Sequence, residues 1–170
     1  MSRRARLTIA AAVALISAIG IPVLAVQLAT TGNGRAPLPF GLPAREASPP
    51  FAAFRETNVK LDGSCRSVVV ADTERLREQG LRGYSGSGAY AGMLFVSAHD
   101  TDTAFTMAGV TTPLEISWYS AGGTRVGGAH LAPCPNRDQA HCPVYRSRRR
   151  YRLALETFGA SPSGGIAPCG

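Results

Sequence analysis

Residues 114–129 read LEISWYSAGGTRVGGA, and this stretch decides the fold class. In its first half an apolar side chain recurs at every second position, at Leu114, Ile116 and Trp118. A period of two is typical of a β-strand that presents one face to a core. The Gly122-Gly123 pair is a hairpin turn signal, so the chain should return as a second strand over residues 124–129. The stretch therefore predicts an antiparallel hairpin.

Further strand and helix signals lie on both sides of this hairpin. Short runs rich in β-branched and aromatic residues predict strands at 67–70, 93–96, 103–107 and 151–155. Asp72 stands where it could cap a helix over residues 73–79, and Gly80 stands where that helix should end. About six short strands and one short helix predict a mostly β (α+β) domain, which we expect to be barrel-like or a sandwich.

The last predicted strand also assigns side chains to faces. Alternation places Tyr151, Leu153 and Leu155 toward the core. By the same alternation Arg152 and Glu156 point away from it. Exposed carboxylates on strands are common, so Glu156 is expected to be solvated.

The N-terminus carries a targeting signal. Arg3, Arg4 and Arg6 precede an apolar segment over residues 7–29, which is long enough for a membrane helix. Arginines before such a segment stay in the cytoplasm, so the rest of the chain should lie outside it. Residues 1–29 are therefore either an uncleaved anchor or a signal peptide cleaved after Ala25. Both alternatives predict a protein that is membrane-bound or secreted and faces away from the cytoplasm.

A segment rich in proline and glycine follows, over residues 30–50. It shows no periodic apolar face that could pack, so we expect an extended stalk. The remaining residues, 51–170, then form one extracytoplasmic domain of ordinary size.

The formal net charge of +7 does not indicate a nucleic-acid-binding protein. Three of the positive charges belong to the targeting segment, and several others cluster between residues 146 and 152. A basic exported protein meets membranes and cell-surface polymers before nucleic acid. If alternation extends back from the last strand, Arg148, Arg150 and Arg152 share one side and could bind an anionic lipid or polymer. The alternative is a solvated strand edge that discourages aggregation.

The four cysteines are Cys65, Cys134, Cys142 and Cys169, and all lie in the part expected to be exported. An even number in that location favours two disulfides, for which three pairings exist. A zinc site built from His130, Cys134, His141 and Cys142 is the alternative. Adjacent ligands at 141 and 142 suit one tetrahedral ion poorly, so we expect no metal and no other cofactor.

Seven short motifs then appear in a characteristic order. They are TERLREQGL (73–81), GMLFV (92–96), FTM (105–107), TPLEI (112–116), PCP (133–135), CPVY (142–145) and YRLALE (151–156). Together they resemble the bacterial and archaeal domain-of-unknown-function family 192, over roughly residues 65–156. That family has a small, mainly β, barrel-like domain, often behind a signal peptide or anchor, and its activity is unassigned.

The resemblance has three further implications. It favours pairing Cys134 with Cys142 and Cys65 with Cys169. It also implies a pocket lined by residues of the shared motifs, namely Arg77, Met93, Phe105, Met107, Glu115 and Tyr145. Finally, Thr106 and Gly109 stand where the family has a tryptophan and an asparagine, so an inherited enzymatic pocket would be incomplete here.

No catalytic nucleophile can be identified. The loop YSGSG (84–88) does not match the Gly-x-Ser-x-Gly elbow. Glu115 could pair with Asp72 or Glu156 as acid and base only if the fold brings them together. The sequence therefore favours a non-catalytic module that binds or scaffolds a partner at the cell surface. The alternatives are a small extracytoplasmic hydrolase and an anion-binding module that uses the arginine-rich edge.

Overall fold

The computed structural model describes residues 34–169. These residues lie within one compact unit that spans Thr31–Gly170. The apolar segment over residues 7–29 lies outside the described residues. Among residues 34–169, no helix combines the length and the hydropathy that a membrane crossing requires.

The described residues form ten strands and one α-helix. The strands are β1 (Arg45–Glu46), β2 (Arg55–Leu61), β3 (Ser64–Ala71), β4 (Met93–Thr101), β5 (Phe105–Thr106), β6 (Leu114–Tyr119), β7 (Arg125–Leu131), β8 (Val144–Tyr145), β9 (Tyr151–Thr157) and β10 (Ile166–Pro168). The helix is α1 (Glu74–Gln79), between β3 and β4. The predicted mostly β domain with one short helix is therefore confirmed.

Eight of the strands form one sheet in the order β1-β2-β3-β4-β9-β6-β7, with β10 paired to β2. Only β3 and β4 run parallel, and α1 lies in the connection between them. The short strands β5 and β8 pair separately. Within residues 34–169, β1 and β7 are not paired with each other, so the sheet is open. We expected a barrel-like domain or a sandwich, and the sheet does not close into a barrel, although Ile166 of β10 donates one backbone hydrogen bond to Gly123 in the β6–β7 turn (2.9 Å).

Both faces of the central strands are covered. One cluster contains Leu76 of α1 together with Phe95, Ile116 and Trp118 of the sheet. The other cluster lies on the opposite face and includes Val70 and Leu155. A strand with two buried faces has no solvated side, even where its residues alternate. The prediction that Glu156 points to solvent was therefore wrong, since this residue is only 5% exposed.

Helix α1 ends at Gly80, as predicted, but its N-terminal cap is not the predicted residue. Thr73, not Asp72, accepts the hydrogen bond from the backbone N–H of Leu76 (3.2 Å). Gly80 terminates the helix with a positive φ of 50°. Asp72 is instead fully buried and pairs with Arg35 (2.7 Å) and with Arg55.

Residues 34–50, expected to be part of an extended stalk, pack against the domain. Ala36 is buried, and its N–H donates to the carbonyl of Asp72 (2.7 Å). Strand β1 pairs with β2, and the N–H of Ser48 donates to the hydroxyl of Tyr90 (2.7 Å). We call residues 34–50 the strap. Proline and glycine did not prevent packing here because buried partners in the domain supply the contacts that the segment cannot make alone.

Candidate functional site

A cavity of about 320 Å³ lies between α1, the loop that follows it, and strands β4 and β9. Residues 103–106 close another side. Its lining combines charged and apolar side chains, among them Arg77, Leu81, Phe95, Phe105, Tyr151 and Glu156. Small-molecule sites in proteins begin at about this volume and have this mixed character. The cavity is therefore the candidate functional site.

Helix α1 forms one wall because its apolar side is fixed to the core. Leu76 is buried, whereas Glu74, Arg77 and Glu78 line the cavity. Residues three and four apart share a helix face, which explains why these three occur together. The guanidinium of Arg77 donates to the backbone carbonyl of Val96 (3.0 Å) and so ties α1 to β4.

Aromatic rings form the opposite wall. Phe95 and Phe105 meet edge to face with ring centres 5.1 Å apart, and Tyr151 lies 6.2 Å from Phe105. The hydroxyl of Tyr151 donates to the carbonyl of Thr103 (2.6 Å), which holds the 103–106 segment over the cavity. Burial raises the pKa of Tyr151 well above its usual value, so this hydroxyl stays protonated.

Glu156 forms the floor. In the pairing of the strands it lies opposite Met93 of β4 and Ile116 of β6, both fully buried. Its carboxyl group makes no hydrogen bond or ion pair with any residue in 34–169. Burial raises its pKa to about 8, because a carboxylate withdrawn from bulk solvent is disfavoured relative to the neutral acid. At neutral pH the floor of the cavity is therefore mostly a protonated carboxyl group.

The backbone beside Glu156 depends on a glycine. A Cβ atom on Gly92 would clash with the carbonyl oxygen of Glu156. The carbonyl of Gly92 also accepts from the N–H of Val69 (3.0 Å), where β3 meets β4. The close approach of these backbones sets the position of the cavity floor.

The family model described as "Uncharacterized ACR", DUF192, matches residues 57–161. The chain belongs to the DUF192 family. The matched region includes every cavity-lining residue named above. No curated protein matches the sequence.

Two solved structures share the fold of this DUF192 domain. One is a protein of unknown function from Novosphingobium aromaticivorans, 18% identical, with a TM-score of 0.58 over 72% of this chain and 92% of that one. The other, from Sinorhizobium meliloti, is described as a candidate transcription regulator and is 20% identical. Its TM-score is 0.52 over 64% of this chain and 88% of that one. At such identities the likeness shows the fold alone.

The pocket implied by the family resemblance corresponds only in part to the cavity. Arg77 and Phe105 line it. Met93 and Met107 are buried in the adjoining core cluster. Glu115 and Tyr145 lie elsewhere and have other partners. The carboxylate of Glu115 pairs with His130 (2.6 Å), and the Tyr145 hydroxyl accepts from the N–H of Ala132 (2.9 Å).

The catalytic pairings considered from sequence are not formed. Asp72 is bound by two arginines and Glu115 by a histidine, and neither lines the cavity. Glu156, which does line it, was expected to be a solvated strand residue. The sequence signal that could have identified it is the run LALET (residues 153–157), where a carboxylate stands inside an otherwise buried strand.

The cysteines of this DUF192 domain form two disulfides. Cys65 is bonded to Cys169 and Cys134 to Cys142, with Cα atoms 5.7 Å and 5.9 Å apart, the pairing that the family resemblance implied. Because both candidate thiolates are bonded, the alternative zinc site lacks its sulfur ligands. The described residues contain no cluster of three or more metal-binding side chains.

The arginine-rich edge differs from its predicted geometry. Arg148 and Arg150 lie in the loop before β9, so strand alternation does not align them with Arg152. Asp100 engages two of the three: its carboxylate pairs with Arg152 (3.0 Å), and its carbonyl accepts from Arg150. Arg148 is exposed. Binding of an anionic partner at this edge stays a prediction.

Proposed function

We propose that this protein is an exported binding module that holds a small molecule in the cavity beneath α1 without converting it. The observation that carries the proposal is Glu156, a buried carboxyl group at the floor of an open cavity, without a partner among residues 34–169. Such a group costs folding free energy and adds nothing to the fold. A ligand that reaches the floor would provide the missing partner.

Export is supported by two features. The positively charged and apolar N-terminus is of the kind that directs a chain across the membrane. Two disulfides are typical of proteins that work in an oxidising compartment.

Export is tested with the full-length protein carrying a C-terminal tag. Intact spheroplasts are treated with protease, and the tag should be digested. A tag that remains protected and soluble in the cytoplasm would contradict export. N-terminal sequencing of the purified protein distinguishes the two targeting alternatives, because cleavage after Ala25 would leave Val26 first.

Ligand binding is tested through Trp118, the one tryptophan of the chain, whose ring lies 6.4 Å from that of Phe105. We expect at least one of three probes, 2-phenylethylamine, 2-phenylethanol and phenylacetate, to change its fluorescence with saturation. The control variant is Ala104→Phe, which fills the cavity with a ring and should abolish the change. Binding that persists in Ala104→Phe would place the ligand elsewhere.

Hydrolysis is a second candidate, favoured by the raised pKa of Glu156. A carboxyl group that stays protonated near pH 7 could act as a general acid, with Glu74 or Glu78 at the mouth as a second carboxylate. Binding ranks higher because the cavity lining contains no histidine or cysteine. Turnover of nitrophenyl esters or glycosides that Glu156→Gln abolishes would reverse this order.

A further inference from the structure

We infer that the cavity selects ligands that carry a protonated amine on an apolar body. This inference rests on the proposed function, because it names the class of ligand that the same cavity would bind. It is carried by the position of the unpartnered carboxyl group relative to the aromatic wall and to the charges at the mouth.

The floor favours an ammonium group over other polar groups. Glu156 can accept hydrogen bonds as a carboxylate from several donors at once. An ammonium group supplies three donors and the opposite charge, so it satisfies a buried carboxylate better than a hydroxyl or an amide does. An anionic ligand would meet the same carboxyl group at the floor and lose affinity.

The wall favours a cation with an apolar body. Phe95, Phe105 and Tyr151 enclose the space above Glu156. The faces of such rings attract cations, and their edges pack against an aliphatic or aromatic body. A ligand whose charged end reaches the floor would therefore have its carbon skeleton between these rings and Leu81.

The charges that face the cavity favour a cation once Glu156 is ionised. Helix α1 contributes Glu74, Arg77 and Glu78, the following loop Arg82, and β9 Glu156 together with the phenol of Tyr151. The lining of β4 and of residues 103–106 is uncharged. While Glu156 is protonated, two carboxylates face two guanidinium groups. When it is ionised, carboxylates outnumber guanidinium groups three to two, in a chain whose net charge is +7. Arg77 is in addition held by the carbonyl of Val96.

The main alternative is a neutral ligand that accepts a hydrogen bond from protonated Glu156, and pH separates the two. An ammonium ligand needs the carboxylate, so binding must release the proton that Glu156 holds below about pH 8. Its affinity should rise about tenfold per pH unit from pH 6 to 7 and level off above 8, until the amine itself deprotonates near pH 10. A neutral acceptor would behave in the opposite way and bind more weakly above pH 8.

The experiment compares three probes with one ring and a two-carbon or shorter linker: 2-phenylethylamine, 2-phenylethanol and phenylacetate. Each is titrated into the full-length protein in mild detergent, with Trp118 fluorescence as the readout. We expect the amine to bind at least about tenfold more tightly than the other two at pH 8. Calorimetry at pH 7 in two buffers of different ionisation enthalpy should show close to one proton released per amine bound.

Two variants locate the preference. Glu156→Gln keeps the shape of the side chain but removes its charge, and should abolish both the preference for the amine and the proton release. Glu115→Gln changes a carboxylate on the neighbouring strand β6, which pairs with His130 outside the cavity, and should change neither. If Glu156→Gln does not fold, the pH dependence and proton release of the parent protein still decide the question.

The outcomes separate this inference from the proposed function. If none of the three probes binds, both are overturned. If the alcohol or the carboxylate binds as tightly as the amine, or if the preference persists in Glu156→Gln, the cavity binds ligands but the inferred class is wrong.

Discussion

Glu156 lies directly opposite Met93 in the antiparallel pairing of β4 with β9. Met93 is fully buried, and so is Ile116, the partner of Glu156 on the other side. An ionisable group thus occupies a position at which the neighbouring strands provide only apolar side chains. The fold is less stable with a carboxyl group here than it would be with a neutral side chain of similar shape.

The first prediction concerns stability and pH. The pKa of Glu156 is raised from 4.5 to about 8 in the folded protein, so the folded state keeps a proton that the unfolded chain releases between these values. Because the unfolded state then binds fewer protons, the free energy of unfolding should fall as pH rises from about 5 to about 8. Glu156→Gln does not titrate and should be more stable than the parent at pH 8 by about 2–4 kcal/mol.

Urea denaturation at a series of pH values measures this difference. Glu115→Gln is the matched control, because Glu115 is partly exposed and outside the cavity, and it should follow the parent curve. Parallel curves for Glu156→Gln and the parent protein would show that Glu156 titrates normally.

The second prediction concerns the glycine beside the floor. Gly92→Ala places a Cβ atom against the carbonyl oxygen of Glu156 and should destabilise the protein by about 2 kcal/mol or more, as overpacked positions do. The matched control is Gly86→Ala, where a Cβ atom would have no neighbour within 4 Å and which should be neutral or slightly stabilising. Thermal denaturation compares the stabilities of the two variants. Equal changes in stability would rule out the close approach of the Gly92 and Glu156 backbones.

The third prediction concerns the strap. Asp72 is fully buried and bound by both Arg35 and Arg55. Replacing either arginine with alanine leaves one partner, whereas replacing both leaves an uncompensated buried charge, which typically costs about 3–5 kcal/mol. The double variant should therefore lose more stability than the sum of the single variants, by about 1 kcal/mol or more.

A double-mutant cycle from urea denaturation measures this coupling. Arg148→Ala, at an exposed loop position, should change stability by less than about 0.5 kcal/mol. If the stability losses of the two single variants simply add, and if each is no larger than the loss in Arg148→Ala, then Asp72 does not hold the strap.

The fourth prediction concerns the disulfides. Cys65 and Cys169 are 104 residues apart along the chain, and Cys134 and Cys142 are 8 apart. A longer closed loop restricts the unfolded chain more, so serine replacement of the first pair should cost about 2 kcal/mol more than replacement of the second. Denaturation of the two double variants under non-reducing conditions measures both losses of stability. Equal losses, or a larger loss for the Cys134–Cys142 pair, would contradict the prediction.

The sequence predicted the central strands and the helix because their patterns are local. Alternation located β6, and Gly80 marked the end of α1. Strands β1 and β8 have two residues each, too few to show a period, and the strand predicted over residues 103–107 forms only at Phe105–Thr106. They form because long-range partners are already in place, and those partners are not visible in a local pattern.

The candidate site was the part least accessible from sequence. A prediction from alternation assumes that one face of the strand is solvated. In β9 this assumption led to the wrong prediction that Glu156 is exposed. Continuous apolar runs such as those at residues 68–71 and 93–96 are typical of strands with two buried faces. A similar dependence on distant partners explains the strap, whose attachment requires Asp72 and Tyr90.

The most direct test of the account is the titration of Glu156 itself. The carboxyl carbon of Glu156 is followed by ¹³C NMR from pH 4 to 10 in the full-length protein, and assigned by its absence in Glu156→Gln. We predict a midpoint near pH 8 in the free protein and a lower midpoint when 2-phenylethylamine is bound, because the ammonium group stabilises the carboxylate. A midpoint near 4.5, unchanged by the amine, would contradict both the buried, unpartnered carboxyl group and its role in the cavity.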